Sequence, residues 1–210
     1  MTEAKFWDRI APKYAQDPIK DQAAYEYTLG RTQSYLGSED RVLEIGCGTG
    51  STALLIAPGV GAIEGTDISP AMLEVAAERQ AEAGVRNAIF SAISAEEAAR
   101  LPGPFDAVLG FNILHLLANP KAVLRDIHQQ LPKGGFLITK TPCIGDPSVG
   151  FKRFIFRAMI PVMTLFGKAP STVQYMTHAE VDKMITDAGF DIVESGNFPA
   201  ISRYVVARKR

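Results

Sequence analysis

Cysteine, histidine and any excess of one charge are what this sequence has least of. Its 210 residues include two cysteines, Cys47 and Cys143, too few for a disulfide framework or a cysteine-based zinc cluster, so no metal site is expected. Lysine plus arginine number 22 against 23 acidic residues, a formal net charge of −1. Nothing global therefore draws the chain toward nucleic acid. No apolar run approaches the roughly 18 residues of a membrane span, so no transmembrane segment is expected. Glu3, Lys5, Asp8 and Arg9 come before any apolar stretch, which argues against a signal peptide. A reduced, cytoplasmic protein is the expectation these absences leave. Apolar residues at 47% with 21% charged suffice for a large core, and the length suits one domain over residues 1–210.

What is present is a glycine turn. In Val42-Leu43-Glu44-Ile45-Gly46-Cys47-Gly48-Thr49-Gly50 an apolar run bearing one carboxylate meets glycines at alternate positions. The run is too short and too β-branched for a helix and reads as a buried parallel strand. Glycine suits a backbone that turns hard and lets a ligand approach main-chain atoms closely. A helical stretch follows, and a strand, a turn and a helix N-terminus together cradle a nucleotide-like ligand.

Around this turn the chain alternates. Strands are expected over 41–45, 62–66, 87–92, 105–111 and 136–141, with helices over 51–57, 70–83 and 120–130. Ser69 and Pro70 mark the start of the second helix and Gly84 its end. Thr177-His178-Ala179-Glu180 is a capping box opening a further helix that Gly189 closes. Strands over 190–195 and 202–207 have no helix between them and suggest an antiparallel hairpin at a sheet edge. Two helical patterns, over 3–15 and about 21–36, precede the first strand. Residues 1–38 therefore read as sheet cover or as a lid with Tyr14 or Tyr25 pointing inward. Residues 39–141 form the core, 142–176 a helical insert, and 177–210 a helix and hairpin. The expected fold is α/β and doubly wound, with a mostly parallel seven-stranded sheet.

A lone glycine turn is weak evidence, and its companions discriminate. A dinucleotide fingerprint needs glycine or alanine where Ser51 stands. Asp67 ends the second strand, where a carboxylate can accept both hydroxyls of a ribose. Phe105-Asp106 opens the fourth strand, Asn112-Ile113-Leu114-His115 follows it, and Pro132-Lys133-Gly134-Gly135 precedes the fifth. In this order and at these spacings the set resembles the class I S-adenosylmethionine-dependent methyltransferases, motif by motif over about residues 40–141. Phe6-Trp7-Asp8 with Tyr14 resembles the start of the branch that includes the ubiquinone/menaquinone methyltransferases.

The resemblance implies S-adenosylmethionine as cofactor, with S-adenosylhomocysteine as product. At matched positions Gly46, Cys47 and Gly48 would carry the main chain past the methionine part, and Glu44 would hold the loop or meet the ammonium. Asp67 would bind the ribose, with Ile68 and Met72 against the adenine. An acidic residue usually holds the adenine amino group, and here Ser94 stands in that place. Either its hydroxyl or Glu96 would serve, with the Ala95 amide meeting the ring. Asn112, with Ile113 beside it, would touch the methionine part, and Tyr14 would close over the cofactor.

The reading of the residues on their own is plainer at several of these places. Glu44 could satisfy loop amides, Met72 could be core, and Cys47 reads as a small apolar filler with no base beside it. His115 is the candidate general base, needed only if the acceptor is protonated, and its other reading is a residue bonded to the neighbouring loop. His128 and His178 read as surface positions.

Substrate choice should lie outside the core. In the insert 151–168 one broad apolar face carries Phe151, Phe154, Ile155, Ala158, Met159, Val162, Leu165 and Phe166, with Arg153 and Arg157 opposite. It reads as a cap over an apolar substrate with transient membrane-surface contact, as sheet packing, or as a homodimer contact. Tyr25, His115, Phe154 and Tyr175 are the expected substrate-pocket residues. The expected activity is methyl transfer to a small, fairly apolar metabolite. A lipid or quinone head at a membrane is the alternative acceptor, and a non-catalytic cofactor-binding protein is the alternative from another class. Nicotinamide oxidation is disfavoured by Ser51 and the hairpin. Nucleic-acid methylation is disfavoured by the charge balance and by the absence of an Asn/Asp-Pro-Pro-aromatic motif.

Overall fold

The computed structural model describes residues 2–210. Strands β1 (Arg41–Ile45), β2 (Ala62–Asp67), β3 (Ala88–Ala92), β4 (Ala107–Phe111), β5 (Phe136–Pro142), β6 (Phe190–Asn197) and β7 (Ser202–Lys209) form one sheet in the order β3-β2-β1-β4-β5-β7-β6. β1 pairs in parallel with both β2 and β4, so the chain winds outward one way and then returns to wind the other. β7 runs antiparallel between β5 and β6. This is the doubly wound sheet with a terminal hairpin that the alternation of elements predicts.

Successive side chains of a strand point to opposite faces, and a sheet covered on both sides must be apolar on both. Leu43 and Ile45 accordingly join a core with Phe105, Leu124, Ile127, Val181 and Ile185. Val42 joins a second core across the sheet with Ala53, Ile56, Ile63 and Tyr204. β6, at the edge, buries Phe190 and then alternates exposed with partly buried positions.

The helices are α1 (Glu3–Gln16), α2 (Gln22–Gln33), α3 (Ser51–Ile56), α4 (Pro70–Ala83), α5 (Ala95–Ala98), α6 (Pro120–Gln130), α7 (Lys152–Leu165) and α8 (His178–Asp187). α4 starts where the Ser69 hydroxyl accepts from the Met72 amide at 3.2 Å and ends at Gly84, whose φ of 64° an L side chain rarely adopts. α8 opens on the expected capping box, with Glu180 N donating to Thr177 Oγ1 at 3.2 Å and Thr177 N to Glu180 Oε2 at 2.8 Å. Such a cap contributes about 1 kcal/mol. α5 is a helix that periodicity does not disclose, because its four residues complete barely one turn.

α1 lies against α4: Ser69 Oγ donates to Asp8 Oδ1 at 2.7 Å, and Arg79 donates to the Ala15 carbonyl at 2.7 Å. α2 is fixed farther along the sheet by the Thr32–Tyr204 hydroxyl pair at 3.1 Å and the Arg31–Glu194 ion pair. No helix among the described residues is long and apolar enough to cross a membrane.

Candidate functional site

In an open α/β sheet a ligand binds beyond the carboxyl ends of the strands, where the winding reverses. Here that point lies between β1 and β4, and a cleft opens there. Its floor is the turn after β1. Gly46 has φ of 69°, and a Cβ added to it would lie 2.8 Å from Ile113 Cδ1. Gly48 has φ of 53°, and the nearest atom to an added Cβ is Tyr14 Cε1 at 4.0 Å. The first glycine lets the loops pack, and the second leaves the backbone open to the cleft.

Asp67 ends β2 on the same floor. Its Oδ2 accepts from Gly48 N and its Oδ1 from Ser69 N, both at 2.9 Å. Burial raises the carboxyl above its ordinary range, while the amides of Ser69, Gly48 and Ile68 pull it down. Each oxygen keeps lone-pair capacity for a ligand hydroxyl. Ile68, Met72 and Ile93 supply apolar walls, and Ala95 and Glu96 continue the rim beyond β3.

Glu44 stands behind the turn and does not line the cleft. It is fully buried, its Oε2 has no hydrogen-bond partner, and burial with the nearby Asp67 charge pushes its carboxyl up to about 8. A carboxyl group in that state is neutral at pH 7, and a cation placed beside it would satisfy the orphaned oxygen. Cys47 is buried too, and desolvation with the charges of Glu44 and Asp67 raises its thiol well above the usual range. That suits an inert filler.

After β4, Asn112 takes φ of 58°, unusual for a residue with a side chain, while its N–H donates to the Lys140 carbonyl at 2.7 Å. The chain turns there, and Asn112 and Ile113 line the cleft. Over the opening stands Tyr14 from α1. Desolvation of its hydroxyl and the charges of Asp67 and Glu44 raise the phenol, although the residue as a whole is 49% exposed.

Eleven residues singled out in the sequence therefore share one cleft: Tyr14, Gly46, Gly48, Asp67, Ile68, Met72, Ser94, Ala95, Glu96, Asn112 and Ile113. The Ser94 hydroxyl is already engaged. It accepts from Glu97 N at 3.2 Å and donates to Glu97 Oε2 at 2.7 Å, a capping box for α5. The S-x-x-E spacing at 94–97 was the available signal for this box.

Four expected pocket residues lie elsewhere. The Tyr25 hydroxyl meets Thr52 Oγ1 at 3.4 Å, and its ring lies under the Lys140 ammonium. Phe154 is 55% exposed on α7, and no residue of that helix lines the cleft. Tyr175 lines a separate depression with Lys121 and Met184. His115 sits in a 3-10 turn over Leu114–Leu116, where successive side chains diverge by about 120°. Leu116 thereby lines the cleft and His115 does not.

Burial pushes the His115 imidazole down to about 4, and its Nδ1 has no hydrogen-bond partner. An imidazole of that basicity is a poor base at neutral pH. His115→Ala should accordingly keep kcat/KM within about threefold of the parent and leave the pH–rate profile between pH 6 and 7 unchanged. An acid limb that vanishes in the variant would restore His115 as the base. The other two histidines are also not free surface groups. His178 Nδ1 lies 3.3 Å from Asp146 Oδ2, and His128 packs edge-on against Phe190.

Trp7 and Glu3 of α1, Ile93, Phe111, Leu116, Leu117, Ala118 and Thr172 complete the lining and were not assigned from sequence. Trp7 had a signal, since it lies seven residues before Tyr14 on one helical face. Thr172 had none.

The donor set fits S-adenosylmethionine: a carboxylate with spare acceptor capacity, an apolar slot, an exposed glycine backbone and a buried carboxyl group with one oxygen unpartnered. Comparison with known proteins points the same way. The methyltransferase-domain family model matches residues 43–137. The chain is 30% identical over 196 residues to the ubiquinone/menaquinone biosynthesis C-methyltransferase of Coxiella burnetii, covering 82% of this chain and 76% of that one. It is 39% identical over 118 residues to an uncharacterized Synechococcus protein, covering 55% of this chain and 28% of that longer one. A solved S-adenosylmethionine-dependent methyltransferase of Thermotoga maritima shares the fold, with a TM-score of 0.71 at 19% identity, over 99% of this chain and 100% of that one. With a 30%-identical relative spanned over three quarters of its length, and the doubly wound sheet with its terminal hairpin in place, this chain belongs to the class I S-adenosylmethionine-dependent methyltransferases.

Proposed function

We propose that the protein transfers a methyl group from S-adenosylmethionine to a small, fairly apolar acceptor in the cleft beyond β1 and β4. The observation that carries this reading is a single cleft with two kinds of wall. Asp67 and the open backbone at Gly48 supply polar lining, and Leu116, Leu117 and Ala118 supply apolar lining. A protein that only bound the cofactor would not need the second wall. When bound, the cofactor supplies an electrophilic methyl on a cationic sulfur, open to in-line displacement.

The chain's own residues would do the positioning. Asp67 would accept the ribose hydroxyls, Ile68 and Met72 would sandwich the base, and the Ala95 amide with Glu96 would meet its edge. Residues 46–48 and Asn112 would hold the amino-acid part, with Glu44 behind them. Tyr14 and Trp7 would exclude water from the reacting centre. No histidine lines the cleft among the described residues, so the geometry suits an acceptor atom with a free lone pair or one that ionises readily.

A second reading of the acceptor, the head of a lipid or quinone, is favoured by the likeness to the C. burnetii ubiquinone/menaquinone C-methyltransferase. A cytoplasmic location belongs to the same proposal and accords with Cys47 and Cys143 both being free thiols. The test follows label from methyl-labelled cofactor into metabolite extracts, with and without lipid. Labelled product in the lipid-free extract is expected. Label only with lipid would select the second reading. Calorimetric binding of the cofactor without labelled product in any extract would identify a non-catalytic binder.

A further inference from the structure

We propose that the outer face of α7 is a docking surface for an anionic lipid bilayer. Phe156, Ile160 and Met163 recur at helical spacing and form the less exposed side of α7. On the opposite side Phe154, Ile155, Met159, Val162 and Leu165 are 43–82% exposed, and Phe151 and Phe166 extend this face at either end. An ordinary surface helix has one apolar stripe, and that stripe faces the core. α7 has a second one facing water, and a contiguous apolar patch of this kind marks an interaction site.

Charge identifies the occupant. From residue 147 to residue 179 there is no aspartate or glutamate, and the segment carries Lys152, Arg153, Arg157 and Lys168, while the whole chain has a net charge of −1. At 100° per residue Lys152 borders one edge of the outer apolar arc, and Arg157 borders the other. None of these four cations has a carboxylate partner among the described residues. Apolar side chains flanked by unpaired cations are the pattern of a helix lying in a membrane interface, with the cations reaching anionic headgroups. A second copy of the chain fits less well, because it would bring the same cations together with no carboxylate from this segment between them.

The surface is fixed relative to the cleft. Arg9 of α1 donates to the Gly167 carbonyl just after α7, and Glu3 Oε1 accepts from Thr172 N at 3.0 Å. Glu3 and Thr172 both line the cleft. A bilayer held by α7 would therefore lie against a segment that continues directly into the cleft wall. The inference does not rest on the acceptor reading, because lipid docking needs neither cofactor nor acceptor.

Co-sedimentation of the full chain with vesicles, without cofactor or acceptor, is the test. Vesicles of phosphatidylcholine with phosphatidylglycerol should bind the protein, and phosphatidylcholine alone should bind it at least about tenfold more weakly. The combined variant Phe154→Ser, Val162→Ser, Leu165→Ser should lose binding by about tenfold or more with its unfolding midpoint retained, since all three side chains are exposed. Lys152→Gln with Arg157→Gln should weaken binding and reduce its salt dependence. No sedimentation with the mixed vesicles, or equal binding to both kinds, would overturn the proposal. So would a parent dimer in ultracentrifugation that the serine variant converts to monomer, because a second copy would then be the occupant.

Discussion

Asp67→Ala should weaken S-adenosylmethionine binding by about 100-fold or more, read as Kd by calorimetry. A ribose offers two hydroxyls, and a hydrogen bond to a charged group contributes about 1.5–3 kcal/mol, so losing both removes at least two factors of ten. The same carboxylate accepts from the Gly48 and Ser69 amides, so alanine also leaves two donors of the turn without their acceptor. Asp67→Asn divides the loss. Its amide keeps one acceptor oxygen for the turn but carries no charge, and its Nδ2 faces the other turn N–H without accepting from it. It should therefore bind more weakly than the parent and more tightly than alanine, with a smaller drop in unfolding midpoint than alanine. Burial raises the Asp67 carboxyl, so affinity should climb as pH rises through the acid range and the carboxylate forms. Parent-like affinity in the alanine variant would remove Asp67 from the cofactor site.

The second large effect concerns Glu44 and the stability of the protein without cofactor. Its folded-state value of about 8 lies above the unfolded value of 4.5, so between these pH values the native state holds a proton that the unfolded chain releases. Stability contributed by this group is therefore full below about pH 4.5 and is lost as pH rises through 8. At about 1.36 kcal/mol per unit, the loss is at most about 5 kcal/mol. His115 acts in the opposite sense. Its value is lowered from 6.5 to about 4, so its contribution is present above pH 6.5 and is lost as pH falls toward 4.

Urea unfolding of the parent should therefore show highest stability in the mildly acidic range and a decline toward pH 8. Glu44→Gln, neutral at every pH, should lack that decline and be more stable than the parent at pH 8 by a few kcal/mol. Parallel pH profiles for parent and variant would show Glu44 to be ionised in the free protein. If the cofactor's ammonium meets Oε2, binding will expel the Glu44 proton. The parent will then release a proton in calorimetry across buffers of different ionisation enthalpy, and the glutamine variant will release less. Equal release from both would leave Glu44 with a structural role alone.

What could be read from the sequence was governed by local rules. The strand, turn and helix at 41–56, the Ser69–Pro70 start and Gly84 end of α4, the Thr177–Glu180 box and the terminal hairpin each follow from spacing within about twenty residues. Those elements bring Gly46, Gly48, Asp67 and Asn112 to the same end of the sheet, because parallel strands present their carboxyl ends together. The sequence by itself therefore determined the family, the cofactor and most of the cleft floor.

The rest of the lining was decided only by the tertiary structure. Whether a side chain faces the cleft depends on how its turn is rotated and what packs behind it. A single 3-10 turn sends Leu116 to the cleft and His115 away from it. α7 has an apolar face on both sides, so periodicity could not say which one turns inward. Packing chose Phe156, Ile160 and Met163, and left Phe154, Val162 and Leu165 in water. Thr172 reaches the cleft through hydrogen bonds from its segment to Glu3, 169 residues away in the chain. Contacts of that range depend on the assembled fold, so no local pattern records them.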